Sequence, residues 1–123
     1  MGETEMDEIA EAWIAGTENS EKADGPHWWA IEKVMDWHLE GEPAPLWQFI
    51  LNLNSRELPE RVIAILAAGP FEDLLAGFGP DYIDEVETLA RRDPKFRCLL
   101  AGVWRNTITE DVWERVKKAR GEV

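Results

Sequence analysis

Cysteine is almost absent from this chain of 123 residues, in which Cys98 is the only one. A single cysteine excludes an internal disulfide and gives no indication of an oxidising environment. Its neighbours Phe96 and Leu99 are apolar, so we expect Cys98 to be a buried small side chain. No apolar run approaches the length of a membrane span, and the first residues lack the basic and apolar regions of a signal peptide. These absences predict a cytoplasmic protein that does not contact a membrane.

Motifs for metal, phosphate or covalent chemistry are also missing. The two histidines, His27 and His38, have no cysteine or second histidine at zinc-binding spacing. The glycine-rich segment 77–80 lacks the Lys-Ser/Thr of a phosphate-binding loop, and no serine has a histidine at a spacing that indicates a nucleophile. We therefore expect no metal, no cofactor and no enzymatic activity. We interpret His38, which falls on an apolar helix face, as a hydrogen-bonded core residue.

Basic residues are scarce in the first half of the chain. Residues 1–60 hold 14 Asp and Glu against three Lys and Arg, a net charge of −11, whereas residues 61–123 hold 11 against 10. A net charge of −12 over the whole chain repels nucleic acid and anionic membranes and attracts basic proteins. The expected partner is therefore a basic protein or a nucleoprotein complex, not free nucleic acid. The sequence leaves the oligomeric state open.

Alternating strand patterns are lacking, whereas apolar residues recur at helical spacing along the chain. The segments 69–70 and 77–80 are each predicted to end a helix, and Asp93 followed by Pro94 predicts a capped helix start. With 45% hydrophobic residues and seven tryptophans, the chain has enough apolar material for one core. We predict an all-α fold in a single acidic domain over residues 1–123. It is a compact irregular bundle of seven to eight short helices, or helical hairpins stacked as in a solenoid.

Two blocks in the second half of the chain are more specific than helical periodicity. They are residues 67–75 (AAGPFEDLL) and residues 90–97 (ARRDPKFR). With these blocks the chain, from about Trp13 to Val116, resembles a bacterial family of unknown function. The resemblance implies a helical fold and brings no assigned activity with it. The acidic residues 1–60 match that family least.

The acids of the first half recur at i,i+4 spacing, as in Asp7/Glu11, Glu32/Asp36 and Asp36/Glu40. Like charges at this spacing destabilise a helix by about 0.2–0.5 kcal/mol per pair. The arrangement is therefore unfavourable for stability alone but suits a basic partner, although a solvated face that only aids solubility is the alternative. Successive acids rise about 6 Å along the helix axis, which is similar to the spacing of phosphates on a nucleic-acid strand. The predicted partner-binding residues are Asp7, Glu8, Glu11, Trp29, Glu32, Asp36, Glu40 and Glu42.

Most of the tryptophans fit apolar stripes, but Trp29 does not. At 100° per residue Trp29 shares an arc with Glu32, Lys33, Asp36 and Glu40, on the charged side of its helix. Either a neighbouring element buries Trp29, or it is exposed and is a candidate binding hot spot. The tryptophans predicted to be buried are Trp13, Trp37, Trp47, Trp104 and Trp113.

Glu87 lies at the edge of an apolar helix face. Because a partly buried carboxylate needs a partner, we predict a structural ion pair between Glu87 and Arg91, Arg97 or Arg105.

These features lead to three functional hypotheses. The first is a non-enzymatic inhibitory protein whose acidic surface blocks a basic, nucleic-acid-binding surface of a partner, as DNA mimics and anti-CRISPR proteins do. That analogy rests on size and charge, not on a motif. The second is an immunity protein or antitoxin that neutralises a basic toxin nuclease. The third is a small enzyme that uses Glu72, Asp73 or Glu87 as an acid or base.

Overall fold

The computed structural model describes residues 2–121, and every regular element in that range is a helix. The α-helices are α1 (Glu3–Glu18), α2 (Trp28–Leu39), α3 (Pro43–Asn54), α4 (Glu60–Leu66), α5 (Glu72–Arg92), α6 (Pro94–Ala101) and α7 (Glu110–Ala119). A π-helical segment, Ala67–Phe71, joins α4 to α5 without a break, so these residues form six continuous helical stretches. The predicted all-α fold is confirmed. The predicted number of seven to eight helices was slightly too high.

The prediction that the segment 69–70 ends a helix was wrong, whereas the predicted break at 77–80 is present as a kink within α5. Pro70 has no N–H to donate, and here the helix widens into the π-helical segment and continues. At Phe78 the backbone leaves the helical region (φ −137°, ψ 19°), which kinks α5 ahead of Pro80 without ending it. The helical stretch therefore continues through Pro70, and it bends where its helical backbone is interrupted at Phe78.

The stretch Glu60–Arg92 is long and apolar enough to cross a membrane by length and composition alone, with a mean hydropathy of 1.5 over its most apolar window. This finding corrects the expectation that no segment approaches that length. Within the fold, 44% of the window is buried, and Leu74 and Leu75 belong to the core. Core helices can have the same length and apolar composition as a membrane span, so these two properties are weak evidence for a membrane role.

Aromatic side chains of α3 contact both the N-terminal helices α1 and α2 and the C-terminal helix α6. Phe49 is fully buried, and its ring centroid lies 5.3 Å from that of Trp13 in α1 and 6.0 Å from that of Trp37 in α2. Trp47 meets Phe96 of α6 edge-on at 6.0 Å. Such aromatic pairs contribute about 0.5–1.5 kcal/mol beyond the burial of their area. They hold the α1–α2 hairpin against the C-terminal helices.

Two side chains lie elsewhere than predicted. Trp104 is 70% exposed, because α6 ends at Ala101 and the chain has left the helix before it reaches the tryptophan. Cys98 is exposed as well, since the helical period that buries Leu99 and Leu100 turns position 98 to solvent. The remaining tryptophans of the prediction are Trp13, Trp37 and Trp47, which are buried, and Trp113, which is partly buried.

The start of α6 confirms the predicted cap. Asp93 Oδ1 accepts a hydrogen bond from the Lys95 N–H at 3.0 Å, and Pro94 takes the first helical position. Asp93 Oδ2 accepts another at 3.1 Å from Asn54 Nδ2 at the end of α3. Burial raises the pKa of Asp93, but the hydrogen bonds to its carboxylate outweigh burial and lower that pKa. Asp93 thus caps α6 and ties it to α3.

We expect Asp93→Ala to lower the free energy of unfolding by about 1 kcal/mol, the usual cost of a lost N-cap. Asn caps helices as well as Asp does, so Asp93→Asn is the matched control and should lose less. Chemical denaturation at pH 7 measures both variants. Equal losses for Ala and Asn would contradict the capping role.

Candidate functional site

Helix α2 turns one face to the core and the opposite face to solvent. Ala30, Val34 and Trp37 are buried, which fixes the orientation of the helix. At 100° per residue the opposite side then carries a mixture of charged and apolar residues. We define the α2 outer face by its exposed or partly exposed members Trp29, Glu32, Met35, Asp36, Leu39 and Glu40.

Three large apolar side chains of the α2 outer face contact solvent. Trp29 is 50% exposed, so about half of it stays in contact with solvent, which answers the question left open by the sequence. Met35 is 41% exposed and Leu39 is 75% exposed. Clustered apolar side chains at the surface, bordered by polar ones, are typical of interaction sites.

The acids of the α2 outer face form a row at i,i+4 spacing. In the part of the chain that the structure describes, none of Glu32, Asp36 and Glu40 forms an ion pair. Lys33 is the one Lys or Arg of α2. No ion pair relieves the repulsion within the row, and with three acids against Lys33 this part of the chain carries a net negative charge.

The acids of α1 divide into two groups. Glu8 and Glu11 are exposed on α1, which packs against α2. Asp7 instead faces α3, where Asn52 Nδ2 donates to Asp7 Oδ1 at 2.8 Å and Arg56 Nη2 lies 3.1 Å from the same oxygen. Asp7 therefore ties α1 to the end of α3, a structural contact that the sequence did not predict, and its side chain stays 46% exposed.

Glu42 lies away from the α2 row, at the rim of an open groove of about 1040 Å³. The groove runs between the start of α1 and α3, and Met6, Lys33 and Gln48 also line it. Glu3 and Lys33 also line the groove, so it carries charges of both signs, unlike the acidic row of α2.

A contact that sequence reasoning missed fixes the start of α2. Glu21 Oε1 accepts a hydrogen bond from the His27 N–H at 2.8 Å, and Glu21 Oε2 lies 2.5 Å from His27 Nδ1. The hydrogen bond with the His27 side chain lowers the pKa of Glu21. The sequence signal is Gly25, where a Cβ would overlap with the Glu21 side chain. Glu21 thus holds the loop before α2.

His38 borders the α2 outer face, where α2 meets α5. Its ring is partly buried and lies edge-on to Phe78, with centroids 6.4 Å apart. Within residues 2–121 its buried Nδ1 has no hydrogen-bond partner, which corrects the prediction of a hydrogen-bonded core histidine. Burial raises the pKa of the neighbouring Asp73, and the charge of His38 acts in the opposite direction.

Glu87 forms an ion pair, but its partner is Arg115 of α7 and not one of the predicted arginines. Arg115 Nε lies 3.0 Å from Glu87 Oε2, and Arg115 Nη2 lies 2.5 Å from Glu87 Oε1. The same Nη2 lies 2.5 Å from Asp84 Oδ1. The hydrogen bonds from Arg115 lower the pKa of Glu87, and the two carboxylates raise the pKa of Arg115.

The three arginines predicted as partners donate to main-chain carbonyls instead. Arg97 Nε donates at 3.0 Å to the carbonyl of Ala90 near the end of α5. Arg105 Nε donates at 3.2 Å to the carbonyl of Ile108, and Arg91 Nε lies 3.4 Å from the carbonyl of Glu87. Helical spacing within α5 does not reveal the ion-pair partner of Glu87, because α7 supplies that partner, Arg115, from 28 residues away.

Of the carboxylates of the enzyme hypothesis, Glu72 and Asp73 are neighbours in the first turn of α5, whereas Glu87 lies towards the other end of this helix. Glu72 is buried and accepts a hydrogen bond from Asn106. Glu72 and Glu87 are separated by about 22 Å of helix at 1.5 Å per residue. Among the described residues, no group of three or more His, Cys, Asp or Glu side chains is placed to hold a metal ion.

The protein is therefore all-helical in its described residues, and one of its helices, α2, carries an acidic and partly apolar surface. The chain belongs to a family of unknown function (DUF6869), whose model matches residues 17–123. Comparisons with curated proteins and with solved structures found no match. The family match includes α2 and omits residues 2–16, so Glu8 and Glu11 lie outside it.

The acids of the α2 outer face should not be needed for folding. We expect the triple variant Glu32→Gln/Asp36→Asn/Glu40→Gln to keep or slightly raise the melting temperature, because it relieves repulsion between like charges. Asp7→Asn is the contrast, and it should lower the melting temperature because Asp7 binds Asn52 and Arg56. Thermal unfolding followed by circular dichroism measures both. A large loss in the triple variant would show that the row is structural.

The Glu87–Arg115 pair should make stability depend on pH. Because the folded state lowers the pKa of Glu87, its contribution is complete above the ordinary pKa of about 4.3 and is lost as the pH falls through the folded value. Glu87→Gln should therefore lower the melting temperature by a few degrees at pH 7, and the difference from the wild type should shrink under acidic conditions.

Glu85→Gln is the matched control for this effect, because Glu85 is exposed on the same helix. The melting temperature of Glu85→Gln should equal that of the wild type both at pH 7 and under acidic conditions. If Glu87→Gln lost the same stability at acidic and neutral pH, packing and not charge would explain the loss.

Proposed function

We propose that this protein is a non-enzymatic binding protein whose α2 outer face occupies a basic surface on a partner protein. One observation supports this proposal above the others: Glu32, Asp36 and Glu40 are oriented to solvent without ion-pair partners, beside the exposed ring of Trp29. Complementary charge accelerates association and selects the partner. An aromatic side chain that becomes desolvated in the complex supplies affinity.

The partner surface that we propose is one that otherwise binds nucleic acid. Successive acids of the row rise about 6 Å along α2, which is similar to the spacing of phosphates on one strand. The net charge of −12 disfavours direct contact with nucleic acid. In this proposal the protein inhibits its partner by competition, as a DNA mimic of the anti-CRISPR kind does. It acts in the cytoplasm, where the exposed Cys98 stays reduced.

A second candidate function is neutralisation of a basic toxin nuclease by an immunity protein or antitoxin. The exposure of Met35 and Leu39 next to the acids supports it. Charge alone suffices to imitate a phosphate backbone, whereas apolar anchors with a polar rim fit a single cognate protein. The two candidates differ in the partner's identity and share the same surface.

The test starts with capture of partners from a lysate of the native host at low salt, followed by association kinetics with the partner that mass spectrometry identifies. We expect the affinity to fall steeply with salt, because exposed charges are screened over about 8–10 Å near physiological ionic strength. The triple variant at positions 32, 36 and 40 should mainly lower the association rate, by about tenfold or more at low salt. Trp29→Ala should mainly raise the dissociation rate. DNA or RNA should compete with this protein for the partner.

A matched variant separates the α2 outer face from the net charge. Glu57→Gln/Asp81→Asn/Glu85→Gln removes the same charge from exposed positions outside α2. It should change the association rate much less than the α2 triple variant does. Affinity that is independent of salt, of the α2 triple variant and of nucleic-acid competitor would contradict the proposal. A captured nuclease whose activity the protein blocks would select the second candidate.

A further inference from the structure

The apolar side chains of the α2 outer face are arranged as a row of their own. Met35 and Leu39 are four residues apart and therefore lie one above the other on the helix surface. They are among the five most exposed large hydrophobic side chains of the described residues, and Leu39 is the most exposed of all. A solvated acidic face that serves solubility alone has no need of this pair, so the row points to a partner that covers it.

The acidic row runs beside the apolar row. With 3.6 residues per turn, the centre of the row Glu32, Asp36 and Glu40 lies roughly 80° around α2 from the centre of the Met35–Leu39 row. From Trp29 to Glu40 the face extends for about 16 Å, or three helical turns. A bound segment must therefore offer apolar groups along one edge and positive charge along the adjacent edge, over a similar length.

The fold decides between an extended and a helical occupant. An extended segment gains much of its affinity by pairing its backbone with the edge of a sheet. The residues 2–121 contain no strand, so the backbone of such a segment has no edge to pair with. A helix satisfies its own backbone hydrogen bonds and binds through side chains on one side.

We propose that the α2 outer face binds a basic amphipathic helix of its partner, with apolar side chains of that helix on Met35 and Leu39 and its Lys or Arg side chains on Glu32, Asp36 and Glu40. This inference rests on the proposed function and specifies which element of the basic partner is bound. Charge complementarity selects the basic helix over a neutral or acidic one, because the acidic row has no ion-pair partner in the described part of the chain.

The probe is a synthetic Lys/Leu peptide of about 14 residues whose leucines recur at helical spacing, which gives roughly four turns. A scrambled peptide of the same composition and an oligolysine of the same length are the controls. Titration calorimetry gives the affinity, and circular dichroism gives the helix content of the bound peptide. We expect the amphipathic peptide to bind about tenfold or more tightly than either control and to gain helix on binding.

Variants of the protein test which residues form the surface. Met35→Ser/Leu39→Ser should lower the affinity for the amphipathic peptide by about tenfold and leave the affinity for oligolysine unchanged. Ile65→Ser is the matched control, because Ile65 is an exposed apolar residue of α4, outside the α2 outer face. It should not change the affinity. Thermal unfolding of each variant confirms that it is folded.

The outcomes also separate this inference from the proposed function. Equal affinity for the amphipathic and scrambled peptides, or an unchanged affinity in the double serine variant, would overturn the basic-helix inference while leaving the acidic surface intact. If the amphipathic peptide binds as expected but the captured partner does not compete with nucleic acid, the helix site stands and the mimicry part of the proposed function fails.

Discussion

Helix α3 carries the contacts on which the rest of the structure depends. Phe49 packs against Trp13 and Trp37, while Trp47 packs against Phe96, so one helix joins the N-terminal hairpin to the C-terminal helices. These rings are large and almost completely buried, and few rotations of α2 are compatible with placing Trp37 next to Phe49. The rotation that the core imposes on α2 is therefore also what orients the acidic row outward.

That orientation explains why the α2 outer face combines two kinds of residue that stability alone does not favour together. The core uses only about half the circumference of α2, through Ala30, Val34 and Trp37. The remaining positions are free to hold any side chain that keeps the helix. Repelling acids and exposed Met35 and Leu39 both cost stability or solubility there. Because the fold does not require these acidic and apolar residues on the α2 outer face, a partner that binds this face is the simplest explanation for them.

The sequence predicted the local features of the fold and the site, and it missed those that depend on distant partners. Helical class, the Asp93 cap and the outward row at Glu32 and Asp36 all follow from periodicity within a few residues. The contacts of Asp7 were missed because Asn52 and Arg56 approach it from 45 and 49 residues away. The partner of Glu87 was missed for the same reason. Trp104 was misplaced because α6 ends at Ala101 with Gly102 as its C-cap, three residues before the predicted end.

The basic residues of the second half explain why the charge of α2 stays unbalanced in the folded molecule. Four arginines donate hydrogen bonds to main-chain carbonyls outside α2: Arg61 binds Glu18 O, Arg97 binds Ala90 O, Arg105 binds Ile108 O and Arg120 binds Val103 O. Arg115 is held between two carboxylates of α5. These guanidinium groups secure loops and helix ends, and they are fixed away from the α2 outer face. Lys33 offsets only part of the charge of Glu32, Asp36 and Glu40 and forms no ion pair with them among the described residues, so the α2 outer face keeps a net negative charge that a basic partner can complement.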